Sequence, residues 1–126
     1  MPKTVPVTPS APGAMGPYSV VTEANGFVFV SGQVAVDPLT KERSPDDVEV
    51  QTSAVMSNIT AILGDLGLGL PDIVKTTIFL ADINDFPKVN SIYAGFLDEE
   101  PPARSTVQAG ALPGGFLVEI EVVAAR

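Results

Sequence analysis

The spacing of apolar residues switches between a strand period and a helix period, and this alternation limits the fold more than any other feature of the chain. Apolar residues recur at helical spacing over 48–66 and again over 86–96, whereas they alternate with polar residues over 73–81. Further strand-like stretches lie before the first helix and after the second. The pattern predicts an α+β fold, in which a mixed sheet carries two helices on one face and leaves the other face open.

Strand pairing is signalled most clearly by Asn25-Gly26, a dipeptide that favours a tight hairpin between two β-prone stretches. The predicted order is two strands, an optional short third, a helix, a strand, a second helix and two final strands. We expect strands at Ser19–Glu23, Phe27–Ser31, Ile73–Ala81, Ser105–Ala109 and Phe116–Ala124, and a short edge strand at Lys3–Val7.

Residues typical of helix ends flank both helical stretches. Asp46 or Asp47 suits the amino end of the first helix, and Gly67 suits its carboxyl end. For the second helix, we expect Asn84 or Asp85 as the cap, with a proline in the first helical turn.

The chain contains neither histidine nor cysteine. Their absence excludes Ser-His-Asp and Cys-His nucleophilic sites, His-ligated zinc, thiolate chemistry and disulfides. The formal net charge is -8 and the seven basic residues are scattered, which argues against a nucleic-acid partner. Any chemistry must come from carboxylates, hydroxyls, the few cations or backbone groups.

Length and composition favour a single domain over residues 1–126 that associates with other copies. Apolar residues make up 45% of the chain and charged residues only 17%, so the apolar surface exceeds what one small core can bury. The amino-terminal segment does not resemble a signal or transit peptide, and no apolar run approaches the roughly 18 residues of a membrane span. We therefore expect a cytoplasmic protein without a membrane partner.

Arg104 is the first candidate for a binding role, because it is the only basic residue between Lys88 and Arg126. Two prolines shortly before it stiffen the chain and fix the direction of its side chain. A guanidinium so placed can bind a carboxylate through two parallel hydrogen bonds. The alternative is a surface ion pair with an acidic residue of 98–100, which would contribute little.

Glu119 and Glu121 share one face of the final strand, opposite its apolar residues. They either form a solvated sheet face or place a carboxylate in a cleft, where it can orient a water molecule or move a proton. Tyr18 follows a Gly-Pro turn and either packs as an ordinary aromatic residue or projects into a pocket. Gly32 ends a strand, where it marks a bulge or a close approach of backbone to a ligand.

Four segments together resemble the RidA family, also called the YjgF family, and the resemblance runs from about Ala11 to Arg126. The last segment contains Pro-Ala-Arg-Ser, then Leu112, then Val-Glu-Ile at 118–120, in the spacing of the family signature. The segments are APGAMGPYS at 11–19, FVFVSGQV at 27–34, DIVKTTIFLADINDFPKVNSIYAGF at 72–96 and PARSTVQAGALPGGFLVEIEVVA at 102–124.

The resemblance implies a chorismate-mutase-like α+β sandwich that assembles as a homotrimer, with clefts between subunits. It implies hydrolysis of reactive 2-imino acids, the enamine/imine products of pyridoxal-phosphate enzymes, to 2-oxo acids and ammonia. The partner would be such an imino acid or another small carboxylate, with no metal and no organic cofactor. Two alternatives stay open, a non-catalytic trimer that binds or senses small carboxylates, and a ribonuclease, against which the charge and the missing histidine count.

The resemblance also implies residue roles. Arg104 would bind the substrate carboxylate, Glu119 would position the attacking water, and Tyr18 and Ser31 would line the cleft from its other side together with Gly32. Backbone groups at Thr106 would hold the substrate, and Asn90 would reach toward the site. One departure from the family pattern is Val20, where many members carry glutamine.

Overall fold

The structure is a computed structural model that describes residues 2–126. Its sheet has the order β1-β2-β5-β3-β4, in which β3 and β4 are parallel and the other neighbours are antiparallel. The prediction of a mixed sheet is confirmed. The strands are β1 (Val21–Ala24), β2 (Phe27–Gln33), β3 (Ile73–Leu80), β4 (Ala103–Gln108) and β5 (Val118–Ala125), and the helices are α1 (Val48–Asp65) and α2 (Phe86–Phe96).

The hairpin between β1 and β2 forms where the sequence predicts it. Asn25 has a φ of 53° and Gly26 a φ of 81°, and two successive residues with positive φ are typical of the type I′ turns that join twisted strands. The predicted edge strand at Lys3–Val7 is wrong, since Thr4 alone forms a bridge, to Glu23. Pro6 has no N–H with which to extend the pairing.

Both helices begin and end near their predicted positions, with one difference in capping. Asp47 accepts hydrogen bonds from the backbone N–H groups of Glu49 and Val50 at 2.9 and 3.2 Å, and Gly67 follows α1 with a φ of 74°. Asp85, one of the two predicted caps, occupies the N-cap position of α2, but its side chain makes no capping hydrogen bond. A 3-10 turn over Ile83–Asp85 precedes α2 instead, and Asp82 caps that turn.

The hydrophobic core lies between the two helices and one face of the sheet, which confirms the expected α+β sandwich. Alternate residues of each central strand point into this core, and the residues between them point away from it. Within residues 2–126, no helix is both long and apolar enough to cross a membrane. The fully buried side chains of the core include Val28, Met56, Ile59, Ile62, Leu63, Ile78, Leu80 and Ile120.

The opposite sheet face has no helix over it and carries both charged and aromatic side chains. Phe27, Phe29 and Val107 are 46%, 45% and 45% exposed. Glu119 and Glu121 lie on this open face, since Val118, Ile120 and Val122 of the same strand are buried on the helix side. The open face therefore combines exposed apolar side chains with polar ones, and its two carboxylates lie on the central strand.

Candidate functional site

A β-bulge in β2 builds one part of the candidate site. The pairing of β2 with β5 shifts register between Val30 and Gln33, which takes Ser31 and Gly32 out of the regular ladder. The Ser31 N–H donates to the Val20 carbonyl at 2.9 Å, and the Ser31 hydroxyl donates to the Ser19 carbonyl at 2.6 Å. Both hydrogen bonds tie the bulge to the residues that precede β1.

Gly32 is required at the bulge by its closeness to Glu119. A Cβ atom built on Gly32 would lie 2.8 Å from Glu119 Cδ and would overlap the carboxylate oxygen Oε2. Any larger residue would therefore displace the carboxylate from the β2 backbone. Of the two alternatives that the sequence left open at Gly32, the bulge is confirmed. The group that lies against its backbone is Glu119 of the same chain.

Glu119 is half-buried on the open sheet face, and its surroundings raise the pKa of its carboxyl above the usual range. Burial is the main cause, because it penalises the charged form, and the negative charge of Glu121 adds to it. A carboxyl with a raised pKa takes up and returns a proton closer to neutral pH than an ordinary glutamate does.

Glu119 lines a surface cavity of about 480 Å³, which we call the Glu119 cavity. Tyr18 is 49% exposed, and its hydroxyl accepts a hydrogen bond from the Met15 N–H at 3.2 Å. The structure thus brings together four predicted site residues from three separate segments of the sequence. The cavity is lined by Tyr18, Ser31, Gly32, Phe116, Glu119 and Glu121, among others.

Arg104 lies inside β4, not just before a strand as predicted, because β4 begins at Ala103. Its Nη1 donates to Asn90 Oδ1 at 2.7 Å, and its guanidinium lies 5.4 Å from the ring centroid of Phe86 and 5.3 Å from that of Tyr93. One amide oxygen and two ring faces therefore hold the cation in place.

The alternative of a surface ion pair at Arg104 is contradicted. Within the described residues 2–126, the two salt bridges join Arg43 to Asp46 and Arg126 to Glu23, and neither includes Arg104. The half-buried guanidinium instead lines a cavity of about 420 Å³, the Arg104 cavity. Asn90, Tyr93, Asp98, Pro101 and Pro102 also line it.

Thr106 lies two residues after Arg104 on β4 and on the same face of the sheet. It pairs with Ile78, a core residue, as Arg104 pairs with Thr76. Its Oγ1 atom is buried and has no hydrogen-bond partner in the described part of the chain. Thr106 is not among the residues that line either cavity described above.

Arg104 and Glu119 point to opposite faces of the sheet. Arg104 is paired with Thr76, whose side chain is buried on the helix side, whereas Glu119 is paired with Phe79 on the open side. The predicted site residues of one chain therefore form two groups, one around Glu119 and one around Arg104. Residue spacing alone does not predict this separation.

Phe86 and Tyr93 are further candidate site residues, which helical spacing alone places on the apolar face of α2. The signal that identifies them is their spacing, because Phe86, Asn90 and Tyr93 follow one another at i, i+4 and i+7 on one helix face. That face contacts Arg104 through the cation–ring and amide contacts given above.

Comparison with known proteins assigns the family. The sequence model described as Endoribonuclease L-PSP matches residues 8–126. A Reactive Intermediate Deaminase A, the chloroplastic protein of Arabidopsis thaliana, is 45% identical over 122 residues, which cover 97% of this chain and 65% of that protein. The chain belongs to the RidA family.

Two solved structures have nearly the same fold as this chain. A Rid family protein of unknown function from Yersinia pestis, called YyfA, has a TM-score of 0.95 and 46% identity over 99% of this chain and 100% of its own. TdcF of E. coli, solved with bound serine, has a TM-score of 0.91 and 41% identity over 98% of each chain. These neighbours share the RidA fold across almost the whole chain.

Proposed function

We propose that this RidA family protein hydrolyses reactive 2-imino acids to 2-oxo acids and ammonia. The observation that carries the proposal is the Arg104 guanidinium, which Asn90 and two aromatic rings hold without an acidic partner within residues 2–126. A cation fixed in this way is available to bind the carboxylate of a small acid. The name of the Arabidopsis relative, a reactive intermediate deaminase, supports the same chemistry.

We propose further that the complete site lies between two copies of the chain in a homotrimer. Arg104 lies on β4, an edge strand, and faces the helix side, whereas Glu119 lies on the open face. One chain therefore does not present both groups to one small molecule. A neighbouring copy packed on the open face would bring its Arg104 to the Glu119 cavity and would cover the exposed Phe29.

In this site, Glu119 would move protons while a water molecule attacks the protonated imine. The water oxygen adds to C2 of the substrate, and Glu119 accepts the proton that the water loses. Glu119 then returns that proton to the nitrogen of the carbinolamine. The C2–N bond breaks, ammonia leaves and takes the proton of the hydroxyl group as ammonium, and a 2-oxo acid remains. The raised pKa of Glu119 suits this exchange at neutral pH.

The other predicted residues would bind and orient the substrate. Arg104 would hold the carboxylate through two parallel hydrogen bonds, and Asn90 would orient the guanidinium. Backbone groups at Thr106 would hold the substrate beside it. Tyr18, Ser31 and Gly32 line the Glu119 cavity and would position the imine against the carboxylate.

The alternative function is a carboxylate-binding or regulatory trimer that uses the same clefts without turnover. The serine bound to TdcF favours this candidate, because serine is a stable amino acid and not an imine. Only turnover separates the two functions. A ribonuclease has less support, since the chain has a net charge of -8 and no histidine.

The test couples this protein to a threonine or serine dehydratase and measures 2-oxo acid release in a buffer where spontaneous hydrolysis is slow. Wild-type protein is expected to accelerate release, and Arg104→Ala to lose about 100-fold in that acceleration, because two charged hydrogen bonds are removed. Lys88→Ala, which removes an exposed cation on α2, is the matched control and is expected to keep full activity. Wild-type acceleration by Arg104→Ala would contradict the proposal.

A further inference from the structure

A third cavity adjoins the Glu119 cavity and shares part of its wall. It measures about 510 Å³, and we call it the apolar cavity. Its remaining walls come from residues that precede β1 and that follow β2, chiefly Pro12, Val20 and Val36. The residues that line both cavities are Met15, Tyr18, Gly32, Val34, Gly114 and Phe116.

The two cations that line the apolar cavity are engaged with the protein itself. Lys41 Nζ donates to the Pro12 carbonyl at 2.7 Å. Arg43 Nη1 donates to the Gly114 carbonyl at 2.5 Å, and the guanidinium stacks 4.2 Å from the centroid of the Phe116 ring. The charged groups of both side chains are therefore directed at backbone carbonyls of the protein.

The uncharged polar side chains of this cavity are also paired. Gln33 is buried, and its Nε2 donates to the Ser31 carbonyl at 3.1 Å. The Tyr18 hydroxyl accepts a hydrogen bond from the Met15 N–H. Most of the other side chains in the wall are hydrocarbon, and an apolar ligand group gains free energy there by displacing water. The chemistry of the walls thus selects an apolar occupant.

Val20 lines the apolar cavity and is one residue at which the chain departs from the family pattern. Its carbonyl accepts the hydrogen bond of the Ser31 N–H at 2.9 Å, so its backbone is fixed beside the bulge. Its side chain packs against the hydrophobic core and lines the apolar cavity. A glutamine in its place would add an amide that has to be hydrated or paired.

We infer that the apolar cavity receives the side chain of the ligand, and that this chain prefers 2-imino and 2-oxo acids with large apolar side chains, such as those derived from leucine or phenylalanine. The inference rests on the proposed function for the position of the reacting carbon in the Glu119 cavity. A side chain attached to that carbon reaches the apolar cavity past Tyr18 and Gly32, which line both. A methyl side chain leaves most of this volume unfilled.

The decisive experiment measures binding of stable 2-oxo acids. It therefore measures the side-chain preference whether or not the protein hydrolyses imines. Isothermal titration of the full-length protein with 4-methyl-2-oxopentanoate and with pyruvate is expected to give at least a ~10-fold lower Kd for the larger acid, because three further carbons are buried. Val20→Gln is expected to remove most of that difference and to leave the Kd for pyruvate unchanged.

Two further variants control for folding and for the substitution itself. Val20→Thr keeps the shape of valine and adds one hydroxyl, so it is expected to weaken binding of the larger acid in the same direction. Val50→Gln places the same substitution on an exposed position of α1, away from the cavity, and is expected to change neither Kd. Equal affinity of the wild type for the two acids would overturn the inference, as would an unchanged preference in both Val20 variants.

Turnover is measured separately, with imines generated from alanine and leucine by an L-amino acid oxidase and trapped by semicarbazide. Equal acceleration of the hydrolysis of both imines, with equal affinity for the two 2-oxo acids, would support the proposed function and contradict the side-chain preference. Tighter binding of the larger 2-oxo acid without hydrolysis of either imine would support the side-chain preference and contradict the proposed deaminase activity. The two failures are therefore distinct.

Discussion

Glu119 is an ionisable residue in a half-buried position, where its carboxylate lies against the β2 backbone. Burial of this kind disfavours the charged form. Gly32 leaves the space for its carboxylate, and burial together with the charge of Glu121 raises the pKa. A raised pKa means that the folded protein binds this proton more tightly than the unfolded chain does. The charged form of Glu119 therefore destabilises the fold at neutral pH.

Replacing Glu119 by glutamine is expected to stabilise the protein at pH 7 by a melting temperature increase of about 2 °C. The gain should shrink as the pH falls through the raised pKa, and it should vanish below about pH 4, where glutamate is protonated in the folded and the unfolded state alike. Melting curves of both proteins from pH 4 to pH 8 measure the difference. Glu42→Gln, at an exposed position, controls for the loss of one negative charge. A gain that stays constant with pH would contradict the assigned cause.

At the scale of secondary structure, the bulge in β2 sets the geometry of the candidate site. It moves Ser31 and Gly32 out of the ladder and brings the β2 backbone against Glu119 of β5. A side chain at position 32 would therefore displace the Glu119 carboxylate directly. It would disturb the pairing of β2 with β5 only as a consequence of that displacement.

Gly32→Ala is expected to destabilise the fold by about 1–3 kcal/mol, because its Cβ overlaps the Glu119 carboxylate. The carboxylate should move toward solvent, so deaminase activity should fall at least ~10-fold and the pH profile of the remaining activity should shift to lower pH. Denaturation curves and pH–rate profiles measure both effects. Gly110→Ala is the matched control, because a Cβ there has no atom within 4 Å. Equal behaviour of the two variants would contradict the assigned role of Gly32.

Most elements could be predicted from the sequence because their signals are local. The Asn25-Gly26 turn, the Asp47 cap and Gly67 act within a few residues of themselves. The face on which Arg104 lies is set by the parallel pairing of β4 with β3, which is a long-range contact that residue spacing does not reveal. The same holds for the aromatic contacts of Arg104, because α2 has to dock on the sheet before they form.

At the scale of the whole molecule, the proposed assembly would account for both the open face and the separation of the Glu119 and Arg104 cavities. Exposed aromatic and branched side chains on the open face favour burial against another copy. The sequence composition predicts such burial, but it does not say which groups the neighbouring copy contributes. Arg104 and Glu119 lie on opposite faces of the sheet. In the proposed assembly, one chain would therefore supply Arg104 to a cleft and its neighbour would supply Glu119.

A shared site predicts that two inactive variants restore activity when their chains are mixed. Arg104→Ala chains keep Glu119, and Glu119→Gln chains keep Arg104. When the two are unfolded together and refolded in equal amounts, random assembly of cyclic trimers puts an intact pair in about a quarter of the clefts. The mixture should therefore recover about a quarter of the wild-type rate of imine hydrolysis, while each variant alone stays inactive.

The composition of the mixed oligomers is checked by native mass spectrometry of chains that carry different tags. A double variant, Arg104→Ala with Glu119→Gln, refolded with either single variant has no intact pair in any cleft and is expected to stay inactive. Mixed trimers without activity would show that both groups act from one chain, or that one of them takes no part. Because the sheet directs Arg104 and Glu119 to opposite faces, recovery of activity requires that a cleft between two copies unites them.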